Sequence, residues 1–289
     1  MAVLAIFQFI NQGSLGGVLY FLGERAFSSS TPGIANASIN NVLVLRPYAT
    51  FPHPNVLAGF LLTVSLLLIG LFANMKKNYS RKSESYLLSV ALILPTISLF
   101  LTLSRAAIAT FSLLSVAIFI KWFALKPSLL SISTWLVFTL VALSLFLSYS
   151  GRWTGNILTE RSLHERISLN HAAFNIGLNS PLTGTGLGGF IPALAEEDSG
   201  KKLPLQPVHN IYLLTFSEAG IIGIGILILG LWNTIKIMIK KSNSSVILVS
   251  LPLISLLIIG LIDHYIYTLQ QGRMLLAILL GFLYGRRSP

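Results

Sequence analysis

Cysteine is absent from the 289-residue chain, and charged residues are scarce, at 10% of the total. The absence of cysteine excludes a disulfide framework, a thiolate metal site and a cysteine nucleophile. The shortage of charge excludes an ordinary soluble domain, in which about a quarter of the residues are charged. Hydrophobic residues make up 54% of the chain, and its mean hydropathy is +0.77. The composition therefore predicts a protein that resides in a lipid bilayer.

Eight apolar runs are candidate membrane spans, and most contain about 17 to 22 residues, enough to cross roughly 30 Å of hydrocarbon. The runs are Val3–Leu22, Asn55–Ala73, Tyr86–Leu103, Ala106–Phe123, Leu129–Tyr149, Ile211–Trp232, Val246–Ile262 and the shorter Gly272–Tyr284. The first is too long and, at Asn11 and Gln12, too polar for a cleaved signal peptide, so we expect it to stay as a helix or a half-helix. The sequence predicts an all-α, polytopic membrane helix bundle with about eight spans, in which residues 1–289 form a single domain and residues 150–208 a large extracytoplasmic loop.

The net charge of +11 would suit a nucleic-acid partner, but the cations sort by membrane side instead. Four short segments, at residues 76–82, 121–126, 236–241 and 286–287, hold 11 of the 20 cations. The positive-inside rule makes these segments and both termini cytoplasmic. The other nine cations, seven of them arginines, then lie outside with all five histidines and every acid except Glu84. We therefore expect no nucleic acid among the partners.

Longer outer loops would collect polar residues by length alone, and this alternative stays open for the acids. It explains Arg105 and Arg273 less well, because both lie in or beside apolar runs. A cation inside the membrane costs at least about 2.5 kcal/mol unless it is paired or hydrated. We therefore expect both arginines to have a partner.

Four predicted spans begin on the outer side, and each beginning carries polar residues. These beginnings are His53-Pro54-Asn55, Ser104-Arg105, His209-Asn210 and Gln270-Gln271-Gly272-Arg273. Unpaired N–H groups and the helix dipole attract anions to such ends, and arginine binds phosphate. Together the four predict a site for an anion such as a diphosphate. Taken singly, Asn55 and Ser104 are also ordinary capping residues, and that alternative stays open.

A glycine-rich stretch in the large loop matches the dinucleotide pattern G-x-G-x-x-G at Gly184, Gly186 and Gly189. We reject a dinucleotide site, because the pattern needs a preceding strand and a following helix in a soluble unit. We expect these glycines to allow a sharp turn, or a close approach of the backbone to a ligand or a neighbouring helix. Upstream, Glu165–Phe174 is predicted to form a helix on the outer surface.

Two titratable residues stand at or inside the span Ile211–Trp232. Glu218 is the only carboxylate well inside an apolar run, so we expect it to face the bundle interior and to meet an arginine. His209 precedes the span and has two interpretations. It is either an interfacial histidine that reaches water or a base beside the arginine cluster.

Several short motifs follow one another in a fixed order. They are Arg46-Pro47-Tyr48-Ala49-Thr50-Phe51-Pro52-His53-Pro54-Asn55, Leu103-Ser104-Arg105, Glu165-Arg166, Pro181-Leu182-Thr183-Gly184-Thr185-Gly186-Leu187-Gly188, Pro207-Val208-His209-Asn210-Ile211-Tyr212-Leu213 and Glu218-Ala219-Gly220. In their order and spacing, from Arg46 to Arg273, the chain resembles the O-antigen ligase family. The resemblance implies a GT-C-like glycosyltransferase that crosses the bacterial inner membrane many times. Such an enzyme takes a glycan from undecaprenyl diphosphate at the outer face of that membrane and passes it to a hydroxyl of a glycan or glycolipid acceptor.

The resemblance also implies site residues. By position, Arg46, Arg105 and Arg166 bind the diphosphate, and His209 acts with Arg166 in catalysis, as the base that activates the acceptor or as an orienting group. A lipid diphosphate is already an activated leaving group, so we expect inversion at the anomeric carbon and no nucleotide, cofactor or metal. Supporting roles are expected for Asn55, Asn210, Glu218, Gly184 and Gly186.

Alternatives remain for the activity. O-antigen polymerases share these motifs and differ in the acceptor. A lipid-linked sugar transporter would also present arginines and helix beginnings to an anion, although near the bilayer midplane and in two related halves. A scaffold protein would not need His209.

Two further features bear on the resemblance. The acidic triplet Glu196-Glu197-Asp198 invites a metal site, but with Lys201 and Lys202 adjacent it is more typical of a solvated loop. Members of the family usually carry several more spans before the segment that matches Val3. We therefore expect the chain to be a fragment or a minimal version, shortened at its amino end.

Overall fold

The computed structural model describes residues 1–39, 42–74, 82–123, 161–197, 203–240 and 244–285. These ranges are mostly helical, which confirms the predicted helical class, and they also contain one two-stranded sheet that an all-α fold does not include. The chain folds as two compact units. The first comprises Met1–Gly155 and Ile247–Ser255, and the second Asn156–Val246 and Leu256–Pro289. The predicted single membrane domain with an inserted loop at residues 150–208 stays a prediction.

The first unit is built around three long helices. Its elements are α1 (Ala2–Asn11), α2 (Val18–Phe21), β1 (Asn36–Ile39), β2 (Val42–Leu45), α3 (Pro54–Asn74), α4 (Lys82–Leu101) and α5 (Arg105–Phe123). α3 packs against α4 and α5, and α1 packs against α4. Leu57, Leu61, Leu62 and Leu66 of α3 are fully buried, because side chains spaced by about one helical turn face the same side.

The first apolar run forms a half-helix instead of one span. α1 ends at Asn11, and Gln12 follows in the left-handed region with φ of 53°. The Gln12 Oε1 atom accepts a hydrogen bond from the N–H of Leu45 at 2.7 Å. Inside α1, the buried Gln8 Oε1 accepts from the N–H of Ala49, also at 2.7 Å. Of the two predicted forms the half-helix is found, because its polar residues bind the chain that returns from β2.

The sheet was not expected from the sequence. β1 and β2 pair antiparallel, with Asn36 opposite Leu45 and Ile39 opposite Val42. Leu45 is fully buried and packs with Phe27 and Tyr48 in a small apolar cluster. Strands of four residues are too short to show a clear alternation of polar and apolar residues, so the pattern alone did not indicate them.

The second unit contains the helices of the large loop and the helices that follow it. Its elements are α6 (Arg161–Asn179), α7 (Phe190–Glu197), α8 (Ile211–Lys240), the last turn of α9 (Ser244–Gly260), α10 (Tyr265–Thr268) and α11 (Gln270–Gly285). The predicted helix Glu165–Phe174 is confirmed as part of α6. Leu169, Phe190 and Leu214, one each from α6, α7 and α8, are buried in a common core.

α8 is interrupted at Gly220, where φ is 61° and ψ is −158°. The loop after α6 occupies the interruption. Its N–H groups at Thr185 and Gly186 donate to the carbonyls of Ser217 and Glu218, at 2.9 Å each. On the other side of the break, the N–H groups of residues 221 and 222 donate to the carbonyls of residues 181 and 182, at 2.8 and 3.3 Å. The loop therefore satisfies four backbone groups that the break removes from the helix.

Two described helices are long and apolar enough to cross a membrane, over Pro54–Leu71 and Ile211–Lys240. Other predicted runs also fold as apolar helices, although α9 has 17 residues and α11 has 16. The run Leu129–Tyr149 lies outside the described residues. The described helices agree with a helical membrane protein, and the number of eight spans stays a prediction.

Candidate active site

The beginning of α8 sets the position of His209. The Oδ1 atom of Asn210 accepts hydrogen bonds from the N–H groups of Tyr212 at 2.9 Å and Leu213 at 3.1 Å. Asn210 is therefore the N-cap of α8. The supporting role predicted for Asn210 stays a prediction, and the cap fixes the backbone next to His209.

The same end of α8 lies against the last turn of α9. The Tyr212 hydroxyl donates to the carbonyl of Leu257 at 3.0 Å. Nearby, a Cβ on Gly260 would lie 2.6 Å from the Cδ1 atom of Ile211, so the two segments approach closely at this glycine. Since Asp263 follows Gly260 by three residues, this packing brings Asp263 to the side of His209.

A short turn after α9 orients Asp263 and His264. Asp263 is 8% exposed, and its Oδ1 atom accepts a hydrogen bond from the N–H of His264 at 2.8 Å. The Nδ1 atom of His264 lies 2.6 Å from the Oγ1 atom of Thr268. The Thr268 hydroxyl has one proton and also lies 3.1 Å from the His264 carbonyl; when it donates to that carbonyl, the Nδ1 atom of His264 is the donor in the shorter contact. The Nε2 atom of His264 then carries the lone pair.

His209, Asp263 and His264 meet as one cluster. The two imidazole rings are 5.0 Å apart between centroids and tilted by 48°. One nitrogen or oxygen atom from each of the three side chains lies within 4.8 Å of the others, as in groups that hold a metal ion. The Nδ1 atom of His209 is buried and has no hydrogen-bond partner among the described residues.

Arg166 of α6 adds a positive charge to this cluster. Its Nη1 atom donates to the carbonyl of Ile262 at 2.9 Å, one residue before Asp263. Burial, followed by the charge of Arg166, lowers the pKa of His209 from 6.5 to about 4, against the opposing effect of Asp263. Burial also lowers the pKa of His264. At neutral pH the His209 ring is therefore uncharged and can accept a proton.

The first unit contains a second arginine arrangement. Arg46 is 8% exposed, and its guanidinium donates to the Thr102 carbonyl at 2.7 Å and to the Asn55 Oδ1 atom at 2.6 Å. Thr102 belongs to the turn between α4 and α5, three residues before Arg105, which begins α5. Within this unit the fold brings Arg46 to Asn55 and to the turn before Arg105. These are three of the residues predicted to serve the diphosphate site.

Comparison with protein families gives a match at residues 90–228, to the family described as O-antigen ligase. The match supports the O-antigen ligase and polymerase family for this part of the chain. No curated protein sequence matches the chain. The family consists of ligase-like and polymerase-like membrane glycosyltransferases of the bacterial inner membrane. The match therefore indicates a membrane glycosyltransferase of the ligase-like or polymerase-like type.

The O-antigen ligase match covers only part of the site. It includes Arg105, Arg166 and His209, whereas Arg46 and the pair Asp263-His264 lie outside it. The sequence did not single out Asp263 or His264 as site residues. One signal was present, because both follow directly after the apolar run Val246–Ile262, at the predicted outer end where His209 also lies. Their proximity to His209 follows from the packing of α8 on α9.

Glu218 is buried, at 6% exposure, as the sequence predicted. Its Oε2 atom accepts a hydrogen bond from the Tyr267 hydroxyl of α10 at 3.3 Å. Because Arg152, one of the predicted outer arginines, lies outside the described residues, the expected arginine partner of Glu218 stays a prediction.

The glycine-rich stretch lies close to the backbone of α8, and this is one of the roles that the sequence predicted for its glycines. A Cβ on Gly184 would clash with the backbone of Glu218, and one on Gly220 would clash with the backbone of Leu182. The close approach to a neighbouring helix is thereby confirmed for Gly184. Gly186, with φ of 92°, turns the loop in the left-handed region and has open space around it.

Two other predicted features lie on the surface of the described chain. Arg273 is exposed near the start of α11, and its expected partner stays a prediction. Glu196 and Glu197 are exposed at the end of α7, while Asp198 lies outside the described residues.

Proposed function

We propose that the protein transfers a glycan from an undecaprenyl diphosphate carrier to an acceptor hydroxyl at the outer face of the bacterial inner membrane. The observation that carries this proposal is the partly buried imidazole of His209, whose pKa is lowered by burial and by the nearby charge of Arg166, in a cluster where Arg166 donates to the carbonyl next to Asp263. Both residues lie in the segment that matches the O-antigen ligase family. A base and a cation side by side are what transfer from a phosphorylated lipid requires.

The proposed step is a single displacement. The acceptor oxygen forms a bond to the anomeric carbon, and the bond from that carbon to the phosphate oxygen breaks. His209 takes the acceptor proton, and the diphosphate leaves with the bonding electrons. Because the acceptor attacks from the face opposite to the diphosphate, the configuration of the anomeric carbon is inverted. Arg166 stabilises the charge that grows on the leaving phosphate. The step needs no nucleotide and no metal, because the lipid diphosphate is already activated.

Arg46 and Arg105 are proposed as further phosphate-binding residues. Their support comes from within the first unit, where the buried Arg46 is held by the Thr102 carbonyl and by Asn55 beside the start of α5. Asn55 is accordingly a positioning residue for Arg46, and Asn210 positions His209 through the cap of α8.

Replacement of the base tests the proposal directly. In purified membranes of a strain without its own enzyme, His209→Ala is expected to reduce glycan transfer from the lipid diphosphate by about 100-fold or more, since general-base catalysis contributes roughly 10²–10⁴-fold. His171→Ala is the matched control, because His171 is an exposed histidine on α6 of the same unit. Transfer at the parent rate in His209→Ala would overturn the assignment of the base.

The polymerase alternative concerns the acceptor alone. A ligase passes the glycan to a different class of acceptor, whereas a polymerase extends a glycan that is still lipid-linked. Mass analysis of the surface glycan with and without the gene separates them. Loss of anchored glycan with chains of normal length is expected for a ligase, and loss of long chains would support a polymerase.

The transporter alternative has one observation in its favour, the interruption of α8, since transporters use broken helices to bind substrate. In this protein, however, the loop Pro181–Gly186 takes up four of the backbone groups at the break. Those groups are therefore not offered to a substrate. Flux of intact lipid-linked sugar across liposomes, lost in Arg105→Ala, would support transport instead of transfer.

A further inference from the structure

The cluster of His209, Asp263 and His264 contains more ligand chemistry than a proton acceptor requires. Transfer as proposed uses one imidazole, whereas the structure places two imidazoles and one buried carboxylate with their nitrogen and oxygen atoms within 4.8 Å of one another. Two histidines and one carboxylate form a set that binds zinc in proteins and leaves a fourth position open.

We propose that His209, Asp263 and His264 form a binding site for a divalent transition-metal ion of the zinc class, and that occupation of this site reversibly inhibits glycan transfer. The inhibition rests on the proposed function, since the ion takes the lone pair with which His209 accepts the proton. The binding itself does not rest on it.

Hydrogen bonds orient the side chains of His264 and Asp263 for an ion. When the Nδ1 atom of His264 donates to the Thr268 hydroxyl, at 2.6 Å, the Nε2 atom carries the lone pair that an ion needs. Metal-binding histidines ordinarily have such a partner on their second nitrogen. The Asp263 Oδ1 atom is held by the N–H of His264 at 2.8 Å, which orients the carboxylate.

His209 supplies an independent observation. Its Nδ1 atom is buried and has no hydrogen-bond partner in the described part of the chain. Buried polar atoms without a partner are rare, because losing water without a replacement costs about 1–3 kcal/mol. An ion coordinated at this nitrogen removes that cost, whereas a purely structural role for His209 would leave it.

The distances fit binding after a small adjustment. Zinc bonds of about 2.0–2.2 Å in a tetrahedral site place the ligand atoms roughly 3.3 Å apart. The ligand atoms now lie within 4.8 Å of one another, so side-chain rotations that shorten these distances by up to about 1.5 Å complete the site. The guanidinium of Arg166, held beside Asp263 at the Ile262 carbonyl, opposes a second positive charge in the cluster. A site with this repulsion is suited to reversible occupation more than to a permanent structural ion.

Direct binding is the first test. The purified full chain, freed of metal with EDTA and dialysed against Zn²⁺, is expected to bind one ion per chain. His264→Ala is expected to weaken binding by about 100-fold or more, and Thr268→Val by about tenfold, the lower end of the effect of removing a partner of a ligand. His171→Ala, an exposed histidine outside the cluster, is expected to bind as the parent does. Equal Zn²⁺ binding by the parent and His264→Ala, or none by the parent, would overturn the site.

The second test measures transfer at the same Zn²⁺ concentrations, with each rate divided by the rate of that variant in EDTA. Zn²⁺ is expected to inhibit the parent and His171→Ala, and EDTA to restore both. His264→Ala is expected to require about 100-fold more Zn²⁺ for the same inhibition. A parent that binds Zn²⁺ at this cluster with an unchanged or increased rate would overturn the inhibition. Because binding is measured separately, a failure of the base assignment in His209→Ala is distinguished from a failure of the metal site.

Discussion

His209 differs from an exposed histidine in the groups that surround it. Burial and the nearby Arg166 and His264 disfavour the protonated imidazole of His209. Asp263 and Glu165 favour the protonated form. Together these effects hold the pKa of His209 at about 4, so nearly all of the imidazole is in its neutral, basic form at neutral pH. The protein thereby has a base that is ready without deprotonation, although a weaker one than an imidazole of ordinary pKa.

The low pKa of His209 predicts that the transfer rate depends only weakly on pH above pH 6. With EDTA present, kcat/KM of transfer is expected to be nearly equal at pH 7.5 and pH 6, and to fall only as the pH approaches the pKa of about 4. A histidine of ordinary pKa is only roughly one-quarter neutral at pH 6, which would reduce the rate about fourfold.

Substitution of Arg166 separates the two causes of this low pKa. Arg166→Gln removes the charge and is expected to move the acid limb of the profile toward higher pH, whereas Arg166→Lys keeps the charge and is expected to leave the limb in place. Burial is the larger cause, so the limb of Arg166→Gln is expected to stay below pH 6.5. A parent profile with its limb near pH 6.5 would contradict the environment described for His209.

At the scale of elements, the interruption of α8 and the loop that fills it are one structural feature. The loop after α6 donates to carbonyls before the break and accepts from N–H groups after it, so each stabilises the other. This arrangement needs glycine on both sides, at Gly184 and at Gly220, because their backbones lie too close for a Cβ atom. The glycines that matched a nucleotide-binding pattern therefore join a loop to a helix.

The prediction for these elements is a loss of stability on substitution of Gly184. Gly184→Ala combines a φ of +66° with a backbone clash and is expected to cost about 2–4 kcal/mol. Gly186→Ala, with φ of +92° and open space, is expected to cost only the strain, about 1–3 kcal/mol.

Gly225 of α8 provides the control for this series. A Cβ at Gly225 meets nothing within 4 Å, so Gly225→Ala is expected to be neutral or stabilising by about 0.5–1 kcal/mol. The measurement is the fraction of folded protein after heating in detergent, followed by size-exclusion chromatography. Equal losses in Gly184→Ala and Gly225→Ala would contradict the close approach.

At the scale of the whole molecule, the charge distribution predicts how the chain is oriented. Cations in short connections stay on the cytoplasmic side, so residues 236–241 are expected inside, and the loops that carry most acids and histidines are expected outside. This orientation places His209 and Asp263 at the outer face, where lipid-linked glycans are used in the proposed reaction.

Single introduced cysteines test the orientation, since the chain has no cysteine of its own to interfere. A membrane-impermeant maleimide is expected to label Ser30→Cys in intact spheroplasts, because Ser30 is exposed in the outer segment. Lys240→Cys, exposed at the end of α8, is expected to react only after the membrane is opened. Labelling of Lys240→Cys in intact spheroplasts would contradict the positive-inside assignment.

The sequence by itself determined the helical membrane class and the positions of α3, α5, α6 and α8, and it predicted Arg166 and His209 as site residues. These features follow from composition, helical spacing and short motifs, which are local properties of the chain. Only the tertiary structure decided that Asp263 and His264 lie beside His209, more than 50 residues away, and that the Tyr267 hydroxyl donates to Glu218. It also decided that the glycine-rich loop fills the break in α8. Such contacts depend on how helices pack at Gly260 and Gly184, and no local pattern of residues specifies that packing.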